Sequence, residues 1–303
     1  MTRFLVVNLN PTFQRSIVLS RLEKGEVNRA EFNRFDIAGK GVNTTRVLHQ
    51  LGAPVRHLTH LGPGRDTLLE LCGNEDLDIV WEPTESPVRT CITLLDEESR
   101  ETTEIVEGTL PVEKDVVQRI RRRYEIEMPA FDWVIFAGSR SPGYPEDFFL
   151  ELTKKAKKQG STVVADFRGP ELVQCINEGL NIVKINLVEF AQTFLPGLEV
   201  SESDDEKALN DVTEKLRTLS RSGCDYVISR GGREALFASN GEVGKVKPPK
   251  VDIRNTIGSG DSFTAGLCYT LSKGASLGDA VQEGVRCGSV NAGFLKPGTI
   301  LDL

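Results

Sequence analysis

The sequence lacks several features that define common classes of protein. Its 6 cysteines include no CxxC pair and its 3 histidines form no HExxH motif, so a zinc site is not expected. No apolar run approaches the roughly 20 residues that a transmembrane helix needs. The chain has no GxxxxGK[ST] motif and no GxGxxG after a strand pattern, which excludes a P-loop and the usual dinucleotide-binding fingerprint. Scattered thiols without a pairing pattern favour a reducing, cytoplasmic location.

An excess of positive charge is absent as well. With 37 Lys and Arg against 44 Asp and Glu, the net charge is −7, which argues against a nucleic acid or an anionic membrane as a partner. A folded chain of 303 residues buries roughly 75% of the surface that its unfolded form exposes, so we expect one domain over residues 1–303. The acidic run from Glu199 to Glu206 is expected to be solvated.

Short β-rich runs alternate with charged, amphipathic stretches along most of the chain. This alternation predicts a parallel sheet with helices packed on both faces. Ligands bind such sheets at the carboxyl ends of the strands, and functional residues are expected there. The predicted strands are Phe4 to Leu9, Val55 to Leu61, Trp133 to Ala137, Thr162 to Asp166, Asn181 to Ile185 and Tyr226 to Ser229.

Two segments interrupt this alternation, Phe13 to Phe35 and Pro87 to Val106, and both have the pattern of antiparallel ribbons. Ribbons so far apart in sequence can join only by leaving the main sheet and pairing. We therefore expect a small β-sheet lid, formed by about 12–35 and 87–107, over the strand ends. Such a sheet has little core of its own, so the apolar side chains of Ile17 and Leu94 predict a homodimer formed through the lid. The alternative is that each lid closes on its own core when ligand binds.

The clearest motif is Asn-Thr-Ile-Gly-Ser-Gly-Asp-Ser-Phe at 255–263, which opens a helical run. Gly258 and Gly260 let successive N–H groups point into one concavity, and the helix that follows adds its positive end, so an anion is expected there. Asp261 beside that anion is a candidate general base for phosphate transfer to a hydroxyl. The alternative is that Asp261 is an ordinary N-cap, a position that Asp favours.

A second motif, Ala-Gly-Lys-Gly-Val-Asn at 38–43, also opens a helix. Gly39 allows close approach of the backbone, Lys40 supplies a point charge, and Asn43 can bind sugar hydroxyls through both its donor and its acceptor. These properties indicate a second site for an anion or a hydroxyl group. The alternative is a plain turn with a surface lysine.

A third motif, Lys-Ile-Asn-Leu-Val-Glu at 184–189, lies at a strand-to-helix junction. Asn186 and Glu189 are three residues apart and can share one face, where their oxygens suit Mg²⁺ bound mainly through water. The same pair could instead form a capping box.

In their order along the chain, 38–43, 184–189 and 255–263, the three motifs resemble those of the PfkB, or ribokinase-like, family of carbohydrate kinases, and within it the phosphosugar branch of 1-phosphofructokinases and tagatose-6-phosphate kinases. The resemblance covers nearly the whole chain. It implies a three-layer αβα sandwich with a mainly parallel sheet and a β-lid, the use of ATP and Mg²⁺, and transfer of the γ-phosphate to a sugar hydroxyl. It also rests on Asn8-Leu9-Asn10-Pro11, Arg89, Gly138-Ser139 with Ser141-Pro142-Gly143, and Ser229 with Gly231-Gly232.

The resemblance also implies roles for individual residues. Asp261 would be the catalytic base, and the backbone of Gly258, Ser259 and Gly260 would form the anion hole. Metal binding would fall to Asn186 and Glu189. On the substrate side it implies Gln14, Arg29 in the lid, Gly39, Lys40, Asn43, Arg89 and Ser139. On the nucleotide side it implies Lys184, Asn186, Ser229, Gly231, Gly232, Thr256, Gly258 and Asn291.

The chain departs from the family pattern mainly around the sugar. Gln14 stands where the branch has an aspartate, and an amide offers a donor and an acceptor where a carboxylate would accept two hydroxyls. Arg140 adds a cation after Ser139, and Phe167-Arg168 replaces small residues after Asp166. These changes leave the sugar undetermined.

The resulting hypothesis is an ATP-dependent kinase of a hexose monophosphate, of the fructose 1-phosphate, tagatose 6-phosphate or fructose 6-phosphate type. Lys40, Arg89 and Arg29 would supply cations for a phosphate already on the substrate. One alternative is a kinase of a non-phosphorylated sugar or nucleoside, in which these cations lie on the lid surface. Another is a catalytically impaired protein that only binds a sugar phosphate.

Overall fold

The fold was analysed in a computed structural model that describes residues 1–200 and 206–301. Most of the acidic run predicted to be solvated therefore lies outside the described residues. The strands are β1 (Phe4–Val7), β2 (Thr12–Leu19), β3 (Phe32–Ala38), β4 (Val55–Leu61), β5 (Ile79–Pro83), β6 (Arg89–Asp96), β7 (Thr102–Val106), β8 (Trp133–Ala137), β9 (Thr162–Asp166), β10 (Ile182–Asn186), β11 (Asp225–Ser229), β12 (Ala235–Ser239) and β13 (Glu242–Val246). The helices are α1 (Lys40–Gln50), α2 (Arg65–Gly73), α3 (Lys114–Glu127), α4 (Phe148–Gln159), α5 (Pro170–Asn177), α6 (Leu187–Phe194), α7 (Glu206–Leu219), α8 (Ser259–Leu271) and α9 (Leu277–Ala292).

The larger sheet has the strand order β13-β12-β11-β10-β9-β8-β1-β4-β5 in the described part of the chain. Its strands are parallel from β11 to β5, and β12 and β13 add an antiparallel hairpin at one edge. The predicted strands are confirmed, with ends that differ by no more than two residues. Strand β5 and the β12–β13 hairpin were not predicted. The Asn240-Gly241 turn of this hairpin has positive φ at both residues, and Asn-Gly between two strands is a strong hairpin signal.

Helices cover both faces of this sheet, because alternate strand residues point in opposite directions. In β1, Leu5 and Val7 pack into a core with side chains of α3 and α4, whereas Phe4 and Val6 pack into a second core with α1 and α8. The predicted αβα sandwich is confirmed. None of the helices in the ranges described is long and apolar enough to cross a membrane.

The lid is a separate sheet with the strand order β3-β2-β6-β7. Each predicted ribbon is antiparallel, and the two join through parallel pairing of β2 with β6, as expected for ribbons distant in sequence. Its root is anchored by a small core in which Phe13 and Ile37 of the lid meet Val42 of α1 and Leu68 of α2. The end of β3 leads directly into α1, so the lid and the second motif are continuous.

Candidate active site

The carboxyl ends of neighbouring parallel strands place the predicted site residues side by side. Asn186 at the end of β10 pairs in register with Ser229 at the end of β11, and Asp166 at the end of β9 pairs with Ala137 of β8. Gly138 and Ser139 follow directly after β8. Asn186 and Ser229 on one side and Gly138 and Ser139 on the other therefore lie along one edge of the sheet, with Asp166 between them.

Asp261 lies in the first turn of α8 and is only 7% exposed. Asn43 of α1 donates a hydrogen bond from Nδ2 to Asp261 Oδ2 at 2.8 Å. The N-cap of α8 is Gly258, which has no side chain, so the alternative in which Asp261 caps the helix is wrong. The Asp261 carboxylate faces α1 instead, and the two glycine motifs meet at this hydrogen bond.

The glycine turn before α8 is closely packed. Gly258 has φ +80°, and a Cβ there would approach the nitrogen of Gly298 to 2.8 Å, so a larger residue does not fit. Asn291 is fully buried behind the turn, where its Nδ2 donates to Ile257 O at 2.9 Å and to Ser259 Oγ at 3.0 Å. Asn291 therefore supports the turn from behind. The turn leads into the N-terminus of α8, where free N–H groups and the helix dipole favour an anion.

Four charged side chains, Lys40, Asp166, Lys184 and Glu189, form a cluster that we call the charged hub. Lys40 Nζ donates to Asp166 Oδ1 at 2.7 Å and to Glu189 Oε1 at 3.1 Å. Lys184 Nζ lies 3.5 Å from Asp166 Oδ2 and donates to Gly260 O at 2.7 Å. The hub joins the ends of β9 and β10 to the start of α8.

Asp166 was not among the site residues identified from the sequence. It is fully buried, and its Oδ2 also accepts a hydrogen bond from Thr264 Oγ1 at 2.6 Å. Burial alone would raise the pKa of Asp166, but Lys184 and Lys40 outweigh it, so the pKa is lowered and the group stays ionised. Burial likewise opposes the charged form of Lys40, but Asp166, Glu189 and Asp261 raise its pKa overall.

The pKa of Asp261 shifts in the other direction. Burial raises it most, and the negative charge of Asp166 raises it further, against opposing effects of Lys40, Asn43 and Lys184. A carboxylate with a raised pKa is a stronger base than an exposed aspartate, which is the property that proton removal from a hydroxyl requires.

Asn186 and Glu189 form the capping box at the start of α6. Asn186 Oδ1 accepts from the backbone N–H of Glu189 at 2.7 Å, and Glu189 Oε2 accepts from that of Asn186 at 3.1 Å. Over the ranges described, no group of three or more His, Cys, Asp or Glu side chains is arranged around a metal. A hydrated Mg²⁺ held through water by Glu189 fits this donor set.

The substrate-side residues come from the lid, the start of α1 and the segment after β8. Asn10 Nδ2 donates to Ser139 Oγ at 3.1 Å. Gly39 has φ +91°, and a Cβ added at this glycine would lie only 3.0 Å from Thr12 Cγ2, so the start of β2 packs closely against the turn before α1. Gln14 is buried in the lid and donates from Nε2 to Thr93 Oγ1 at 2.6 Å. The amide nitrogen of Gln14 is thus directed at the neighbouring lid strand.

Three predicted groups are held more loosely. Arg89 at the start of β6 donates from Nη1 to Glu107 O at 3.3 Å, while its Nε is buried without a partner among the residues described. Arg29 lies exposed in the loop between β2 and β3. Gly231 and Gly232 follow Ser229 in the turn between β11 and β12.

A cavity of about 640 Å³ opens beside the charged hub. It is lined by Lys40 and Ser139, together with Arg140, Phe167 and Arg168, which depart from the family pattern. Arg140 forms an ion pair with Glu171. The unusual residues after β8 and β9 therefore face one cavity, whereas Gln14 lies apart from them in the lid.

This fold and this arrangement of glycine turns define a class of phosphotransferases that act on a hydroxyl group of a sugar. The chain belongs to the pfkB family of carbohydrate kinases, whose pattern it matches over residues 9–301.

Solved structures with the same fold include two phosphofructokinase-like proteins. Phosphofructokinase-2 of Escherichia coli, determined in complex with substrates and products, superposes with a TM-score of 0.84 at 22% identity, over 96% of this chain and 93% of that one. A protein of Thermotoga maritima described as a "possible 1-phosphofructokinase" superposes with a TM-score of 0.84 at 24% identity, over 97% of this chain and 93% of that one. At this level of identity, these similarities establish the fold.

Proposed function

We propose that this protein transfers the γ-phosphate of ATP to a hydroxyl of a hexose monophosphate, with Asp261 as the general base. The observation that carries the proposal is the position of Asp261, which is buried beside the glycine turn and held by Asn43 at 2.8 Å. A base at the mouth of an anion site can take the proton from a hydroxyl while that oxygen attacks phosphorus.

In this mechanism the protein contributes position and charge. The substrate hydroxyl lies against Asp261, which accepts its proton as the new O–P bond forms and the bond to the leaving ADP breaks. The backbone N–H groups at the start of α8 stabilise the charge on the transferring phosphoryl group. Lys184 supports them, because it binds the carbonyl of Gly260 at 2.7 Å and so fixes the turn.

The ATP phosphates are assigned to the edge formed by β10 and β11 together with the glycine turn. Lys40 lies at the border of this region, and its bonds to Asp166 and Glu189 favour a role close to the phosphoryl path. Mg²⁺ bound with ATP would offset charge on the phosphates, and Glu189 with Asn186 would hold it through water.

The phosphate already present on the substrate is assigned to Arg89 and Arg29 of the lid, whereas Lys40, which the sequence analysis assigned to the same phosphate, donates to Asp166 and Glu189 instead. Arg89 supports this assignment because its buried Nε has no acceptor within the described residues. The fructose-6-phosphate complex of Escherichia coli phosphofructokinase-2, a protein of the same fold, supports a sugar monophosphate as the substrate class.

The decisive experiment replaces Asp261 with Asn. We expect kcat to fall by about 10² to 10⁴, with ATP binding nearly unchanged, because proton removal contributes to the transition state. Asp279→Asn is the matched control, since Asp279 also lies in the first turn of a helix, α9, but is exposed. A turnover of the Asp261→Asn variant close to that of the wild type would contradict the assignment of the base.

The substrate class is tested separately with a panel of phosphorylated and free sugars and nucleosides. We expect the highest kcat/KM for a hexose monophosphate. Preference for a free sugar or nucleoside would support the first alternative. Tight binding of a sugar phosphate without ATP turnover would support the second.

We also propose that the protein is a cytoplasmic homodimer formed through the lid. The cysteines are buried free thiols, which suits a reducing compartment. Ile17 and Leu94 pair in register on one face of the lid and are both partly exposed. Burial of this apolar face against a second copy would remove it from water.

A further inference from the structure

Arg46 of α1 is the largest fully buried side chain among the described residues, with 1% of its surface exposed. Its Nε and Nη2 donate to the Glu75 carboxylate at 2.5 and 3.1 Å. A buried arginine is rare unless its charge is paired, and Glu75 supplies the pairing. The other N–H groups of Arg46 donate to Asn43 of the same helix and to carbonyls in two other segments of the chain.

One of these donors reaches the residue that holds the proposed base. Arg46 Nη1 donates to Asn43 Oδ1 at 3.2 Å, and Asn43 Nδ2 donates to Asp261 Oδ2 at 2.8 Å. We propose that Arg46 is a positioning residue that fixes the orientation of the Asn43 amide and thereby holds Asp261 as a hydrogen-bond acceptor. The inference rests on the proposed function, in which Asp261 is the base.

The donors and acceptors of Arg46, Asn43 and Asp261 fix which way the Asn43 amide faces. A guanidinium has only donors, so the Asn43 amide must present its oxygen to Arg46. The amide NH₂ is then left for Asp261, which must accept, and this favours the ionised carboxylate. If Arg46 were absent, the amide could turn over and present its oxygen to Asp261, an arrangement that favours the protonated carboxyl group.

Other donors of Arg46 hold this pair to the surrounding frame. Nη2 donates to Ile37 O at 2.9 Å, near the end of lid strand β3, and Nη1 donates to Pro297 O at 2.8 Å. The next residue, Gly298, donates its N–H to Asn291 Oδ1 at 2.6 Å, and Asn291 supports the glycine turn. Arg46 therefore bonds directly to the lid root, and it reaches the base through Asn43 and the glycine turn through residues 297–298 and Asn291.

The charges that face Asp261 come from several elements. They are Asp166 at the end of β9, Lys184 of β10 and Lys40 of α1. Arg46 acts on Asp261 only through the Asn43 amide, so its replacement by lysine leaves these charges in place. A shift in the titration of Asp261 on changing Arg46 would therefore report the orientation of the amide.

The test is the Arg46→Lys variant of the full chain, with kcat/KM for ATP and the preferred sugar phosphate measured from acid to neutral pH. Lysine keeps the charge beside Glu75 but cannot reach Asn43, Pro297 and Ile37 together. We expect kcat to fall about tenfold to a hundredfold and KM for ATP to change little. The acid limb of the profile, where kcat/KM falls as Asp261 becomes protonated, should move to higher pH. An acid limb that does not move would overturn the positioning role.

Glu75→Gln is the matched control, because it weakens the same buried pair on the side away from Asn43. It should lower the thermal stability without moving the acid limb, and a limb that moves equally would overturn the inference. If Arg46→Lys does not fold, Asn43→Ala serves instead, since it keeps the bonds from Arg46 to Glu75, Pro297 and Ile37. It should move the acid limb in the same direction, and an unchanged limb would overturn the inference.

These outcomes are separable from a failure of the proposed function. If the base assignment is wrong, Asp261→Asn will retain turnover and the acid limb of the wild type. If only the inference fails, Asp261→Asn will lower kcat by about 10² to 10⁴ while the limb of Arg46→Lys stays in place.

Discussion

The charged hub and the lid hold their ionic side chains in opposite ways. In the hub, the side chains of Lys184 and Asp166 are 4% and 0% exposed, and each bonds to groups of the protein. In the lid, Arg29 is exposed and the Arg34 side chain is 41% exposed beside Asp36. The four side chains of the hub are all paired within the protein, whereas the lid cations range from the exposed Arg29 to the partly exposed Arg34 and Arg89.

This difference separates two demands on a kinase. Stabilising a transferring phosphoryl group requires charges that are already in place, because reorganisation would add to the barrier. Recognising a particular sugar phosphate allows cations that become ordered when the substrate binds. The departures from the family pattern at Gln14 and Arg140 fall outside the hub, which is consistent with fixed chemistry and adapted specificity.

The strongest way to break the comparison is to remove Asp166. Asp166→Asn leaves the buried Lys184 and the partly exposed Lys40 beside a neutral amide, so we expect a loss of about 3–5 kcal/mol in the free energy of unfolding, measured by urea titration. The pKa of Asp166 is lowered on folding. The ionised Asp166 carboxylate therefore stabilises the folded state fully above about pH 4, and this stabilisation is lost as the pH falls through the pKa that Asp166 has in the folded protein. The variant should therefore show a flatter dependence of stability on acid pH.

Asp78→Asn is the control for this prediction. Asp78 pairs with Arg56 at 2.9 Å, but its side chain is 50% exposed, and surface pairs contribute only about 0–1 kcal/mol. Equal losses in the two variants would mean that the hub has no special role in stability.

A smaller effect is expected in the lid. Arg89→Ala should raise KM for a phosphorylated sugar by about tenfold or more, because a hydrogen bond from a charged donor contributes about 1.5–3 kcal/mol. KM for ATP and the free energy of unfolding should change little. Arg34→Ala provides the control, since Arg34 is also a lid arginine but donates to Asp36 at 2.7 Å. An equal effect of Arg89→Ala on a non-phosphorylated analogue would contradict a phosphate-binding role.

Local patterns predicted the fold and the two glycine turns, because strand alternation and turn glycines depend on residues close in sequence. The positions of Asp261 and Asn43 at helix starts were visible for the same reason, but their contact joins distant segments and was not predicted. The capping box of Asn186 and Glu189 was also visible, although the sequence left open whether it bound a metal.

Asp166 and Arg46 were not predicted, and the reason is physical. An aspartate that ends a strand resembles any turn residue, and its partners Lys40, Lys184 and Thr264 come from distant segments. An arginine on a helix normally lies at the surface, so the burial of Arg46 opposite Glu75 had no local signal. Both residues depend on contacts made only when β9, α1 and α8 are brought together.

The last prediction concerns the outer face of the lid, where the expected effect on each folded chain is smallest. Ile17 pairs with Leu94 in register, and Ile105, which is 51% exposed, extends the same apolar face beside Ile92. We expect light scattering at micromolar concentration to give the mass of a dimer, and Ile17→Lys or Leu94→Lys to shift it toward the monomer.

Within one chain, a half-exposed side chain contributes little, so each change should cost about 1 kcal/mol or less in the free energy of unfolding. Val173→Lys, which places the same charge at an exposed apolar position on α5, should leave the dimer intact. A monomeric wild type would reject the dimer, and a dimer that persists in both lid variants would place the interface on another surface.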